Sequence, residues 1–391
     1  MNVRFIVLVA LLTSLLAFGT DAMLPAMPEI GKALGLEGSN RVQLIVSSFM
    51  LGTGVGQLFF GPMSDYRGRK PAILLGLSIF VAGSVVSLMA QSFEVMLIGR
   101  MLQGLGVAGP RTASMAMVRD LYKGREMAQI MSFVMAVFIL VPALAPLIGQ
   151  VVMLTWGWRS VFAVFILFAL IAFIWMVFGQ AETHQERRRF TFLDLWQSAV
   201  EVLTTRQTMG FTIVAGLSFA SFVVYLSAAE QIFHKIFHVG NLFPLYFAIM
   251  ALAIGVASVT NAKLVMRLGM HKLITRALTA LVTVSLIYTS VLLVFPAAES
   301  LWLFLFWGVL TFFSVGLVFG NVNALAMEPM GANAGIASAV IGAMSTVLAV
   351  IIGVPLAQLY NGSTVPLVAG FTILGISALT MVHLTTRKKT G

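Results

Sequence analysis

The chain has 391 residues, of which 59% are hydrophobic and only 10% charged, and its mean hydropathy is +0.99. A soluble domain carries about 25% charged residues, so a soluble chain of this length and composition could not cover its surface. A cytosolic enzyme, a secreted domain and a disordered regulator are thereby excluded, and a polytopic helical membrane protein remains. The apolar runs are unbroken over about twenty residues, the length a helix needs to cross roughly 30 Å of hydrocarbon. Barrel strands would instead alternate apolar and polar over about ten residues.

In chain order the runs predict twelve helices, at 4–24, 41–62, 71–91, 95–117, 127–151, 159–180, 208–230, 243–265, 272–296, 301–325, 335–358 and 365–385. The first starts at Arg4 and runs into Leu24-Pro25-Ala26-Met27-Pro28, with no small-x-small cleavage site. It therefore reads as a retained helix, not a signal peptide. Net charge is +10. With the N-terminus in the cytoplasm, eighteen of the 24 Lys and Arg fall on the inner side, including Arg67, Arg119, Lys123, Arg125, Arg187–Arg189 and Arg387–Lys389. Lys32, Arg41, Arg159 and Lys235 fall outside, and Arg100 and Arg111 lie within the fourth span. This asymmetry places both termini in the cytoplasm and agrees with an even number of spans. It also accounts for the basic balance without nucleic acid, for which the chain offers no basic, aromatic-interleaved domain.

The longest polar stretch separates six spans from six. The expected organisation is a helical bundle at 1–180, a cytoplasmic linker at 181–207 and a second bundle at 208–391. Within the linker, Phe190 to Trp196 is either a short helix lying on the inner membrane surface or a linker with one helical turn. Two six-helix halves are the arrangement of repeat-built secondary transporters, which bind substrate near the bilayer midplane. Cysteine is absent, so there is no disulfide, thiol nucleophile or thiolate metal site. The five histidines (184, 234, 238, 271 and 383) lie at or beyond span ends. His234 and His238 have a metal-ligand spacing without a third ligand, which favours a loop or helix-end role. No nucleophile–base set appears in mid-span, so the chain is not expected to be an enzyme, and no cofactor or metal is expected.

Four motifs stand in order along the chain. Gly61-Pro62-Met63-Ser64-Asp65-Tyr66-Arg67-Gly68-Arg69-Lys70 follows the second span, with Tyr66 where an arginine is usual. Arg100-Met101-Leu102-Gln103-Gly104 lies in the fourth. Pro142-Ala143-Leu144-Ala145-Pro146-Leu147-Ile148-Gly149-Gln150 lies in the fifth, with Ala145 and Gln150 in place of two glycines. Thr20-Asp21-Ala22-Met23-Leu24-Pro25 ends the first. Together they resemble the major facilitator superfamily, and the Asp21 and Asn323–Gly331 segments resemble its bicyclomycin/chloramphenicol-resistance drug:proton antiporters. The resemblance implies an all-α fold of twelve transmembrane helices in two pseudo-symmetric six-helix bundles. It also implies proton-coupled efflux of small amphipathic drugs across a bacterial inner membrane by a monomer. The alternative is a dedicated proton-coupled carrier of one metabolite, a sugar or an amino acid.

Asp21 is a lone carboxylate near the end of an apolar helix, which must be paired, hydrated or protonated. A group that toggles between those states carries protons. Arg100 is its natural counter-charge, and the resemblance assigns these two residues proton coupling. Arg111 lies eleven residues on, on the same helix face and about 16 Å away. It either extends a polar path to the substrate or snorkels to the inner surface. Gln103 either holds Arg100 or binds substrate, or it serves as packing glue. Glu230 ends the seventh span much as Asp21 ends the first, either as a handle for cationic substrate or as a solvated edge residue. Tyr225 and Phe222 are candidate walls of the substrate cavity. Gly61, Asp65, Gly68, Arg69 and Lys70 are either a conformational latch, as the resemblance implies, or plain topology signals. Pro142, Pro146 and Gly149 are expected to form a hinge or a tight seal against the eighth span, with plain small-residue packing as the alternative for Gly149. Gly52-Thr53-Gly54-Val55-Gly56 lacks a strand before it and a Gly-Lys-Ser/Thr after it, so it reads as helix packing, not a phosphate loop. With no Walker motif, the proton gradient remains as the energy source.

Overall fold

A computed structural model describes residues 3–122, 124–183 and 192–386. Lys123, His184, Arg187–Arg189, Phe190, Thr191 and Arg387–Lys389 lie outside the described residues. Nearly all of the described chain is helical, with short turns between the helices. In lipid every backbone N–H and C=O must find its partner within the protein, and a helix achieves this within one segment.

The long helices are α1 (Val3–Asp21), α3 (Leu44–Arg67), α4 (Arg69–Leu88), α5 (Phe93–Leu121), α6 (Gly124–Trp156) and α7 (Arg159–Gly179), then α9 (Arg206–Gln231), α10 (Phe243–Leu268), α11 (Met270–Val294), α12 (Leu301–Met327), α13 (Ala334–Gln358) and α14 (Val365–Thr386). Two short helices join them, α2 (Met27–Ala33) and α8 (Phe192–Thr204). The twelve long helices fall on the twelve predicted runs. The largest differences at an end are five residues: α3 continues through Pro62 to Arg67, and α6 continues through Pro142 and Pro146 to Trp156. Among the described residues, ten of the spans are long and apolar enough to cross a membrane by length and composition. The fourth long helix, α5, does not stand out on those grounds, because Arg100, Gln103 and Arg111 interrupt it.

The chain divides into two compact units, Met1–Gln197 and Ser198–Gly391. In the first, α5 is the central element and packs on α1, α3, α4 and α6. A polar helix can be central because its neighbours screen it from lipid. Its approach to α3 needs glycine. A methyl group on Gly104 would overlap the Phe49 carbonyl of α3, and one on Gly52 would overlap the Met101 carbonyl of α5. The glycine-rich stretch of the second span is thus helix packing, as expected. In the second unit, α9 packs on α12, α13 and α14, while α11 packs on α12 and α14. Polar bonds tie these helices across their interfaces. Asn321 Nδ2 donates to Asn261 Oδ1 at 2.6 Å and Trp307 Nε1 donates to Ser285 Oγ at 3.0 Å.

Buried hydroxyls satisfy themselves locally. Thr53, Ser84, Thr212 and Thr311 donate to the carbonyls four residues back at 2.7–2.9 Å, so small polar residues can sit in an apolar helix without a distant partner. Two of the long helices are capped at their starts by serine side chains. Ser92 Oγ accepts from Val95 N at the start of α5, and Ser300 Oγ accepts from Leu303 N at the start of α12. The short helix α8 exposes Leu193, Trp196, Val200 and Leu203, whose spacing places them along one side.

Substituting Gly104 by leucine should drive α5 away from α3, since the obstacle is backbone and cannot rotate aside. The expected result is a loss of about 3 kcal/mol or more, read as a lower unfolding temperature and a smaller monodisperse yield in detergent. Gly104→Ala should lie between the leucine variant and the parent.

Candidate functional site

The interior of the first unit is organised by one guanidinium. Arg100, in the second turn of α5, is fully buried. Its Nη1 donates to the Gly19 carbonyl of α1 at 3.0 Å and to Gln103 Oε1 at 2.8 Å, and its Nε lies 3.3 Å from the Ile45 carbonyl of α3. Its Cζ stands 4.4 Å from the centroid of the Phe49 ring. Gln103 passes the connection on, its Nε2 donating to Ser84 Oγ of α4 at 2.7 Å. One cation thus links α1, α3 and, through Gln103, α4 to α5. The second terminal nitrogen, Nη2, is buried without a hydrogen-bond partner.

Asp21 lies two residues beyond Gly19, at the C-terminal end of α1. Its side chain is buried, and among the described residues it takes part in no ion pair. The sequence suggested Arg100 as its counter-charge, but here Arg100 binds the backbone of the same helix instead of the Asp21 carboxylate. Gly149 of α6 lies against this end of α1, where a methyl group would overlap the Ala22 carbonyl. The glycine of the fifth-span motif therefore brings α6 onto the residue next to Asp21, seven residues beyond Pro142 and three beyond Pro146. Arg111 shares the helix with Arg100 but not its surroundings, being only half-buried.

At the other end of this unit lies the motif of residues 61–70, which the apolar runs place after the second span but which is helical, in the last turns of α3 and the first turn of α4 with Gly68 alone between them; it forms a second polar cluster. Arg69 donates Nε to Asp120 Oδ2 of α5 at 2.8 Å and Nη1 to Ser64 Oγ at 3.1 Å, and it also pairs with Asp65. Glu182 accepts from the backbone N–H groups of Arg69 and Lys70 at 3.0 and 3.1 Å, an anion at the positive end of α4. Lys70 Nζ donates to the Val177 and Gln180 carbonyls at 2.7 and 2.8 Å, a cation at the negative end of α7. Gly68 holds φ of +107° and leaves no room for a methyl group beneath Glu182. Gly61 is buried in α3, while Tyr66 and Arg67 point outward and are exposed.

In the second unit the singled-out residues sit on α9. Tyr225 is buried, stacked on Phe247 with centroids 5.7 Å apart and meeting Phe312 edge-on at 4.6 Å. Phe222 contacts Phe219 and Phe312 and is partly exposed. Glu230 is buried, with Oε1 3.2 Å from His234 Nδ1. His234 lies in the wider helical turn Ile232–Ile236 that continues α9. The four-residue spacing of Glu230 and His234 was available in the sequence, where His238 drew attention instead. Asp120 and Glu182 were also missed. Each is distant in the chain from Arg69 and Lys70, so no local spacing pointed to either.

Residues 9–354 match the family model of the Major Facilitator Superfamily. The chain is 29% identical to a bicyclomycin resistance protein homolog of Haemophilus influenzae, over 98% of this chain and 96% of that protein. It is 28% identical to the multidrug resistance protein MdtL of Salmonella heidelberg, over 97% and 90%. The xylose transporter XylE from E. coli, solved in a partially occluded inward-open conformation, matches at a TM-score of 0.78 with 14% identity, covering 99% of this chain and 98% of that one.

Asp120→Asn should weaken the Arg69 cluster by about 1–3 kcal/mol, because it leaves a buried guanidinium with one carboxylate fewer. The check is thermal unfolding of the purified protein in detergent. Tyr66→Ala, at an exposed position in the last turn of α3, should stay within about 0.5 kcal/mol of the parent.

Proposed function

We propose that this chain, which belongs to the major facilitator superfamily, is a proton-coupled multidrug efflux antiporter that exports small amphipathic compounds by alternating access. The observation that carries the coupling mechanism is the placement of Arg100. A fully buried guanidinium is bound to the backbone of the helix that ends in the buried Asp21, and it keeps one terminal nitrogen unpartnered. The drug-efflux assignment draws on relatives named for bicyclomycin and multidrug resistance.

In this reading Asp21 takes a proton from outside. The neutral acid tolerates its apolar surroundings, whereas the carboxylate needs water or a cation. Loss of the proton attracts Arg100, whose Nη2 has donors to offer. Any movement of Arg100 toward Asp21 alters its bonds to Gly19 and Ile45, so protonation is transmitted to the packing of α1 and α3 on α5. Drug leaves outward, and the inward-facing state releases the proton and accepts drug again. Each proton moving down the membrane potential supplies roughly 2.3 kcal/mol per 100 mV. The backbone of α6 at Pro142, Pro146 and Gly149 serves as the hinge beside α1, and the Asp65–Arg69–Asp120 cluster with Gly61, Gly68 and Lys70 serves as the latch.

Substrate is assigned to aromatic and acidic side chains, with Tyr225 and Phe222 as apolar walls and Glu230 as a handle for cationic compounds. Aromatic and methionine surfaces repack around varied shapes. Gln103 is already engaged at both ends of its amide, so its part is to position Arg100. Arg111 is assigned to the polar path toward the inner surface. The protein is placed as a monomer in a bacterial inner membrane with both termini in the cytoplasm, following the positive-inside asymmetry. The short α8, with its exposed Leu193, Trp196, Val200 and Leu203, lies along the inner membrane surface.

The test is lumenal pH in proteoliposomes that hold a preformed proton gradient, to which cationic and neutral drugs are added. Proton movement triggered by several unrelated drugs and abolished in Asp21→Asn is the expected result. Asp21→Glu should keep part of the coupling. A response to a single sugar or amino acid, and to no drug, would replace this reading with that of a dedicated carrier. Arg100→Lys should fold but lose most coupling, since an ammonium cannot reproduce the planar fork that reaches Gly19, Ile45 and Gln103 together.

A further inference from the structure

The second unit holds a cavity of about 650 Å³ that the transport cycle does not use. It lies where the first turns of α9 and α11 meet the last turns of α14. Its ionisable lining is entirely basic: His271, Lys272 and Arg276 from α11 and His383 from α14. No carboxylate lines it among the described residues. The acid just beyond is Glu328, whose Oε2 accepts from Gln207 Nε2 at 2.8 Å, so that acid is engaged with a residue of the cavity rim.

We infer that this cavity binds the phosphate group of an anionic phospholipid from the inner leaflet. Three observations support a phosphate. Lys272 and Arg276 are four residues apart, on one side of α11. The cavity lies at the N-terminal ends of two helices, whose unpaired N–H groups and dipoles favour anions. The opposing C-terminal end of α14 is partly neutralised, because Arg206 donates to the Leu384 carbonyl. Thr275, Thr385 and Thr386 add hydroxyls to the lining.

The flanks of the cavity point to a lipid as the source of the phosphate. The two outer helices that border it expose apolar side chains further along their length, Ile373 and Ile376 on α14 and Leu286 and Ile287 on α11. Ile376 and Ile373 are about 10 and 15 Å from His383 along α14. A headgroup in the cavity would therefore have acyl chains lying along apolar helix faces. A free anion would use only the basic end of the site. Basic pockets between helices on the cytoplasmic side are suited to anionic headgroups, and the placement on the inner leaflet rests on the proposed orientation.

The experiment is a lipid titration of the purified full chain in detergent, read as unfolding temperature. Phosphatidylglycerol is the probe, with phosphatidylcholine and inorganic phosphate as comparisons. Phosphatidylglycerol should raise the unfolding temperature saturably, and the other two should not. Lys272→Gln with Arg276→Gln should weaken the phosphatidylglycerol response roughly 30-fold, about 1 kcal/mol per cation. Both side chains are exposed, so this double variant should keep the parent's stability without lipid. Lys263→Gln with Arg267→Gln, on the exposed C-terminal end of α10 and outside the cavity, should leave the response unchanged. Equal losses in the two double variants would overturn the site in favour of diffuse attraction to a basic surface. Equal protection by inorganic phosphate would overturn the lipid as its ligand.

Discussion

A charge that has been taken out of water must be answered by groups fixed around it, and Arg100 is where this chain meets that requirement most severely. Nothing around it is arranged as an ordinary salt bridge. It binds two main-chain carbonyls, an amide oxygen and a ring face instead. Main-chain carbonyls of a helix are already engaged in the helical ladder and can accept a second, sideways bond. A guanidinium, with five donors in a rigid fork, can reach several of them at once. The cost of burial is met by spreading one charge over three helices, which makes the packing of α1, α3 and α5 depend on where that charge sits. Glycine at 104 and 52 brings the backbones close enough for this to work.

The same requirement is answered differently at the ends of the helices. Glu182 sits on the N-terminal N–H groups of α4, while Lys70 from the first turn of α4 sits on the last carbonyls of α7. Each side chain satisfies groups that the helix itself leaves open, and each has the sign that the helix dipole favours. The pair couples the start of one helix to the end of another. Arg69 joins this arrangement to α5 through Asp120. Arg69 and Lys70, in the first turn of α4, are therefore bonded to three other helices of their unit, α3, α5 and α7.

The second unit is organised on different chemistry. Around Tyr225 the contacts are rings, with Phe247, Phe312 and Phe222 meeting at stacked and edge-on angles. Such surfaces exclude water without demanding particular hydrogen bonds. The buried Glu230 and the partly exposed His234 introduce the ionisable pair found in that unit among the described residues. The two units thus differ in what fills their interiors, a charge held by main-chain carbonyls in the first and packed rings in the second.

The sequence by itself determined the class of molecule, the twelve helices and their limits to within a few residues. Hydrophobic length is a local property, set by the thickness of hydrocarbon to be crossed. It also marked Asp21, Arg100 and the loop motif, because charge in an apolar run is conspicuous whatever it contacts. The tertiary structure decided which partners those charges take. Arg100 faces Gly19 and Ile45, Arg69 faces Asp120, Lys70 faces the end of α7 and Glu230 faces His234. Apart from the last, these partners lie on other helices, at separations that no periodicity encodes. The basic cavity of α9, α11 and α14 follows the same rule. Its residues stand at three distant places in the chain, where His271 and His383 read only as span-end histidines, and only the packing of the helix ends gathers them around one space.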